Sequence, residues 1–230
     1  MVKTKESILI LDRLREKIKS KSFLESSRVN RKDFTRTRKM PFQSLVCFML
    51  NSIKQTIQKE VTHFIQRFTQ SDNMTKSAYC QHRIKLKPEA FIDLNNTIIE
   101  EFYTDNTIKT WNEFRLLSID GSALELPNSK EIADYFGVNS DKNQVPMAKI
   151  STMYDLLNNM ILDSDIAKSH ESEYNQAIHH LTMLKKDDIL ILDRGYAARW
   201  LFYILTCKKV DYVVRLQHES GNDINQFWNS

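Results

Sequence analysis

Two aspartates stand in matching settings. Asp120 follows the apolar run Leu116-Leu117-Ser118-Ile119 and precedes Gly121-Ser122. Asp193 follows Ile189-Leu190-Ile191-Leu192 and precedes Arg194-Gly195-Tyr196. The chain has only four glycines, and two of them lie within two residues of these acids. Glycine allows a sharp turn or the close approach of another backbone. Carboxylates at the ends of two buried strands are hard oxygen donors, and side by side they suit Mg²⁺ or Mn²⁺. Metal ions held this way activate a nucleophile and stabilise the leaving oxygen in phosphoryl transfer. Plainer readings compete at each position. Asp-Gly is a strong hairpin signal, and an aspartate after a strand often does no more than cap the next helix.

Other chemistries are excluded more easily. There is no G-x-G-x-x-G, G-x-x-x-x-G-K-[ST], H-E-x-x-H or G-x-S-x-G in the chain. A phosphatase with an aspartyl nucleophile would need an acid at position 118, which is Ser118. Cys47, Cys80 and Cys207 are odd in number and far apart, which fits a reducing cytoplasm rather than a disulfide or metal framework. No apolar run reaches the roughly 18 residues of a membrane span. The start, MVKTKESILILDRLREK, lacks the long apolar core and cleavage site of a signal peptide. The 41% hydrophobic content is enough for a real core in a chain of 230 residues, so disorder is excluded.

The elements that must position the acids lie in the second half. Up to about residue 112 the pattern is helical. Ile8, Leu11, Leu14 and Ile18 recur at helical spacing. Residues 19–40 read as a basic arm or short helices. Pro41 opens one long apolar-periodic run to Phe68, ended by the turn cluster Ser71-Asp72-Asn73. Thr75 caps a short helix, and Lys87-Pro88-Glu89 starts another, so the pair reads as a helix-turn-helix or as part of a plain bundle. After Trp111 the texture turns to strands. The expected order is β, long loop, β, β, α, β, α, β, with Asn158-Asn159 as a hairpin turn. The domains expected are therefore 1–112 and 113–230. Charge divides the same way: residues 1–112 carry 21 basic and 12 acidic side chains, and residues 113–230 carry 12 and 17. A basic front and an acidic back suit a polyanion partner and a carboxylate-bearing site. Arg36, Arg38, Lys39, Arg83 and Lys85 are the candidate phosphate contacts. Phe64, Phe68, Phe91, Phe102 and Trp200 read as core, and Cys207 as a small buried group. His179-His180 sits on a helical face with no ligands expected nearby, so no metal role is assigned to it.

Four stretches together carry a resemblance. They are Phe34-Thr35-Arg36-Thr37-Arg38-Lys39-Met40-Pro41-Phe42; Thr75 to Arg83 followed by Lys87-Pro88-Glu89-Ala90-Phe91; Ile119-Asp120-Gly121-Ser122 with Leu126-Pro127; and Leu192-Asp193-Arg194-Gly195-Tyr196. In these the chain resembles the DDE transposases of bacterial insertion sequences, of the IS-four type. Ser172-Glu173, opening the helix before the second acid, fits that family as well. The resemblance implies an α+β chain: an all-helical DNA-binding region, then an RNase H-like α/β catalytic domain. It implies that Asp120 and Asp193 bind Mg²⁺ or Mn²⁺ and cut and join double-stranded DNA at element ends and targets. Arg194 and Tyr196 would then contact a phosphate or a flipped base of a DNA end. A homodimer, or a dimer with an intact copy, and a cytoplasmic, nucleoid-associated location are implied too. The family's third acid is a glutamate in the helical motif Y-x-x-R-x-x-x-E-x-x-x-x-x-x-K. Tyr212, Arg215 and Glu219 match its spacing, but Gln226 stands at the lysine position, and Tyr212 to Leu216 reads as a strand. The expectation is a C-terminally truncated copy with an incomplete catalytic domain. The alternative is a non-catalytic DNA-binding protein that occupies element ends or inhibits an intact transposase.

Overall fold

A computed structural model of the chain describes residues 2–36, 39–51, 55–68, 74–105, 108–139 and 144–216. The chain forms two compact units, Met1–Asn106 and Thr107–Ser230.

The first unit is helical: α1 (Val2–Lys19), α2 (Lys21–Ser27), α3 (Phe42–Leu50), α4 (Ile57–Phe68), α5 (Lys76–Arg83) and α6 (Glu89–Asp105). Side-chain caps start two of these helices. Ser20 accepts the Phe23 N–H at 3.1 Å, and Thr75 accepts the Ala78 N–H at 3.2 Å. The run expected as one helix from Pro41 to Phe68 is two. Asn51 ends α3 in an extended conformation (φ −81°, ψ 136°). Asparagine competes for backbone hydrogen bonds and is a poor helix interior. Glu60 of α4 then accepts the Gln55 N–H at 3.0 Å, marking a fresh start. Ser71-Asp72-Asn73 lies outside the described residues. The core gathers on Phe48, whose ring meets Phe64 at 5.2 Å and Tyr79 at 5.0 Å edge-on. Phe64 and Phe91 pack on this core as expected, and Phe102 is half-buried. Phe68, at 62% exposed, does not belong to it, since it is the last residue of α4. The link from α5 to α6 is clamped to the segment after α2: Val29 N–H donates to Lys85 O at 2.9 Å, and Lys87 N–H to Ser27 O at 2.8 Å.

The second unit is a mixed sheet with helices: β1 (Arg115–Glu125), α7 (Lys130–Phe136), β2 (Met147–Asp155), β3 (Met160–Lys168), α8 (Glu173–His180), a 3-10 turn (Leu181–Met183), β4 (Asp188–Leu192), α9 (Arg199–Lys208) and β5 (Asp211–Val214). The strand order is β3-β2-β1-β4-β5. β1, β2 and β3 pair antiparallel, and β4 and β5 continue the sheet in parallel with β1. Three meandering strands followed by two parallel strands, each entered through a helix, is the RNase H-like order. The whole chain is thus α+β, with a helical region ahead of an α/β sheet. The hairpin turn falls at Asn158-Asn159 as expected, with Asp155 Oδ1 accepting the N–H groups of Leu157 and Asn158. Among the described residues no helix is long and apolar enough to cross a membrane.

Two expectations need correction here. The loop expected between β1 and β2 contains α7, capped by Ser129 and ended by Gly137 at φ +89°. A Cβ on Gly137 would lie 2.5 Å from Ser169 Oγ, in a backbone region that side chains avoid. Gly137→Ala is therefore expected to destabilise the chain by about 1–3 kcal/mol, read from urea melts. On α9, Leu201 and Leu205, one turn apart, are buried, while Trp200 is 40% exposed and Cys207 is exposed. Both lie off the Leu201/Leu205 stripe by helical periodicity, so neither is a core residue.

Candidate active site

The chemistry expected at Asp120 and Asp193 depends on strand register. Leu117 pairs Leu190 and Ile119 pairs Leu192 across the parallel β1–β4 ladder. One residue further, Asp120 stands opposite Asp193, on chains about 4.8 Å apart. Leu117, Ile119, Leu190 and Leu192 are buried. By alternation Ser118, Asp120, Ile191 and Asp193 share the opposite face. Both acids are exposed. Neither plain reading survives. Asp120-Gly121 is inside β1, paired with Thr152 and Ser151 of β2, and is not a hairpin turn. Asp193 precedes a 3-10 turn (Arg194–Tyr196) but its side chain makes no cap bond. Among the described residues neither acid pairs with a cation. Asp120 Oδ1 accepts only the adjoining Gly121 N–H, at 2.9 Å.

The register is fixed at the far end of the same two strands. Arg115 pairs Asp188 in the ladder. The guanidinium also clasps the carboxylate, Nε to Oδ1 at 2.7 Å and a terminal nitrogen to Oδ2 at 2.8 Å. Each partner precedes its aspartate by five residues.

The two motif glycines open a space beside the acids. A Cβ on Gly121 would stand 3.5 Å from both Glu173 Cγ and Tyr196 Oη, and one on Gly195 3.9 Å from Glu173 Oε2. Tyr196 is buried, and its hydroxyl finds no hydrogen-bond partner among the described residues. Burial, followed by the negative charges of Glu173, Asp120 and Asp193, pushes its phenol up to about 12; the nearby Ser151 hydroxyl tempers the rise. An unfolded tyrosine ionises near 10, so the folded state holds this proton more tightly. Stability is full below about pH 10 and falls as pH climbs to about 12. Tyr196→Phe should flatten that alkaline loss, read as the urea midpoint against pH for the two chains. At pH 7 it should be neutral or mildly stabilising, because it removes an unsatisfied hydroxyl.

Sequence reasoning missed the support beneath this tyrosine. His180 joins Asp163 through Nδ1 at 2.8 Å and Ser151 through Nε2 at 3.0 Å. His180 and Ser151 are fully buried, which denies a substrate access to the serine, so the row ties α8 to β2 and β3. The His179-His180 pair thus does have close partners, contrary to expectation. Among the described residues no three histidine, cysteine or acidic side chains are grouped to ring one ion as they stand.

In the first unit the structure brings some of the basic candidates together. Arg36 and Lys85 line one hollow of about 280 Å³ with Lys32, and Lys39 and Lys85 line another of about 490 Å³, with His82 at both. Arg83 is exposed and lies over the Tyr79 ring at 5.9 Å. Arg38 is outside the described residues. In the second unit Arg194 is exposed beside Asp193.

The sequence profile described as "Transposase DDE domain" matches residues 111–228. That is half the chain, and it contains both aspartates. The chain belongs to the transposase DDE-domain family. No match is found among curated proteins. Among solved structures the chain is similar to a chain in the cryo-EM structure of the simian T-cell lymphotropic virus intasome in complex with PP2A regulatory subunit B56 gamma. That match has 10% identity and a TM-score of 0.31 over 50% of this chain and 37% of that one. It is also similar to a chain in the crystal structure of a pre-cleavage Mos1 transpososome, with 10% identity and a TM-score of 0.30 over 80% of this chain and 75% of that one. DDE transposases use divalent metal ions. Asp120 and Asp193 suit such an ion as adjacent, unpaired oxygen donors. Of the near match to the family's third-acid motif, Tyr212 lies on β5 and Arg215 N–H donates to Leu192 O at 3.1 Å, extending the sheet rather than a helix. Glu219 and Gln226 are outside the described residues.

Proposed function

We propose that the chain is an insertion-sequence transposase of the IS-four type, acting on double-stranded DNA in the bacterial cytoplasm. The observation that carries this reading is the register that sets Asp120 beside Asp193 on the open face of the sheet. These two carboxylates would hold Mg²⁺ or Mn²⁺, which supplies charge neutralisation at the phosphate and a more acidic nucleophile. In the cleavage step a water oxygen bonds to phosphorus, and the bond to the 3′ oxygen breaks. The freed 3′ oxygen takes a proton and becomes the nucleophile for joining. Arg194, exposed beside Asp193, is placed to meet a phosphate. Arg36, Lys39, Arg83 and Lys85 supply the sequence-independent grip on the backbone.

The decisive test incubates the full chain with supercoiled plasmid and Mn²⁺ and scores nicking and DNA retention together. The expected result is nicking by the parent chain, and DNA retention without nicking by Asp120→Asn and Asp193→Asn. Equal nicking by those variants would overturn the reading. Retention without nicking by the parent chain would favour a DNA-binding protein without catalysis, which the two basic hollows of the first unit could serve unaided.

A further inference from the structure

The proposed reading leaves a carboxylate unused. Glu173 opens α8, just after its cap Ser172. Its side chain lies along both motif glycines, with Cγ 3.5 Å from the Cβ position of Gly121 and Oε2 3.9 Å from that of Gly195. A side chain at Gly121 would occupy the space that Glu173 and the Tyr196 hydroxyl now border. The helix therefore brings an acid to the two glycines of the Asp120 and Asp193 motifs.

A second, independent feature marks the same space. Tyr196 is 2% exposed, and its hydroxyl reaches to 3.5 Å from that Gly121 position without a hydrogen-bond partner. A buried donor left without an acceptor is costly and calls for a missing ligand. The charges of Glu173, Asp120 and Asp193 all act on this one hydroxyl. Three carboxylates converging on a small region repel one another unless a cation lies among them.

Resting on the metal-dependent reading above, the geometry points to Glu173 as a third carboxylate of the Asp120/Asp193 cation site, supplied by this chain's own α8. As the side chain stands, Oε1 is 3.9 Å from Lys149 Nζ, with Glu173 half exposed. So long and wet an ion pair holds weakly. The glutamate has three rotatable bonds with which to leave it. Gly121 and Gly195 keep the path clear, which gives the glycine after each aspartate a common purpose. The donor set becomes three hard oxygens, as Mg²⁺ or Mn²⁺ requires.

The test is Mn²⁺ binding to the full chain without DNA, followed by the loss of the free-ion electron spin resonance signal. Five chains are compared: the parent, Asp120→Asn, Asp193→Asn, Glu173→Gln and the control Glu171→Gln. Glu171 is also acidic and exposed, but it is engaged with Ser172 N–H and Asn175. Circular dichroism melts confirm that each variant folds. Glu173→Gln is expected to weaken Mn²⁺ at least tenfold, with Glu171→Gln matching the parent. If Glu173→Gln binds like the parent while the aspartate variants lose the ion, the assignment of Glu173 falls and the two-aspartate reading stands. If the aspartate variants bind like the parent, or the parent binds no Mn²⁺, both fall.

Discussion

Asp188→Asn is expected to destabilise the chain by about 3–5 kcal/mol, the loss typical when one partner of a buried ion pair is removed. Asp188 is fully buried and Arg115 nearly so, and their two hydrogen bonds are both under 3 Å. Asp188 also accepts the Lys185 N–H at 2.6 Å. The amide would leave the Arg115 charge in the interior with no counter-charge, and one of its two nitrogen donors facing another donor. For a unit of this size, that loss corresponds to a fall in melting temperature on the order of 10–20 °C. Paired replacement, Arg115→Met with Asp188→Leu, should recover most of the loss, because it removes both charges together. Urea melts of the three chains decide the matter. A loss under about 1 kcal/mol in Asp188→Asn would mean that the pair is not what holds β1 against β4. The consequence reaches function, because this pair lies five residues behind Asp120 and Asp193 on the same ladder.

The amino-acid sequence carries a sign of that pairing. Arg115 and Asp188 have opposite charge, and each stands five residues before its aspartate, ahead of an apolar run. Equal spacing with opposite charge is what a parallel register pair needs. The strands themselves are plain because Leu116 to Ile119 and Ile189 to Leu192 are apolar runs that suit a buried sheet. What stays hidden is formed by partners far apart in sequence. Ser151, Asp163 and His180 come from β2, β3 and α8, and no local pattern joins them. Strand β1 runs on past Asp120 because Ser122 and Leu124 find partners in Ile150 and Ala148, which the residues before the acid cannot reveal. Helix α7 escapes a reading by hydrophobic period because residues 127–149 carry few apolar residues, and none in α7 is buried. Phe68 and Trp200, expected in the core and found exposed, show that residue type does not settle burial; position on the helix does.

Replacing Arg36, Lys39 and Lys85 together with alanine is expected to weaken binding to duplex DNA by several hundredfold at about 0.1 M salt, if each meets one phosphate. The arithmetic follows from counterion release. Each neutralised phosphate contributes about 0.9 to the slope of log affinity against log salt, so three lost contacts lower that slope by about 2.7. The three residues line two hollows that share Lys85 and His82, so a single stretch of backbone could meet all of them. Arg36 and Lys39 are exposed and Lys85 is half-buried, so their loss should leave folding nearly unchanged. The slope separates this grip from a general charge effect. Substituting Lys208 and Lys209 at the end of α9 removes cations from the other unit and should leave the slope within about one of the parent value. Filter binding across a salt series, on random-sequence duplex, measures both. An unchanged slope in the triple variant would place the phosphate contacts elsewhere. It would also detach the basic first half of the chain from the role its charge suggests, leaving Arg194 beside the two aspartates as the remaining candidate for holding DNA at the site.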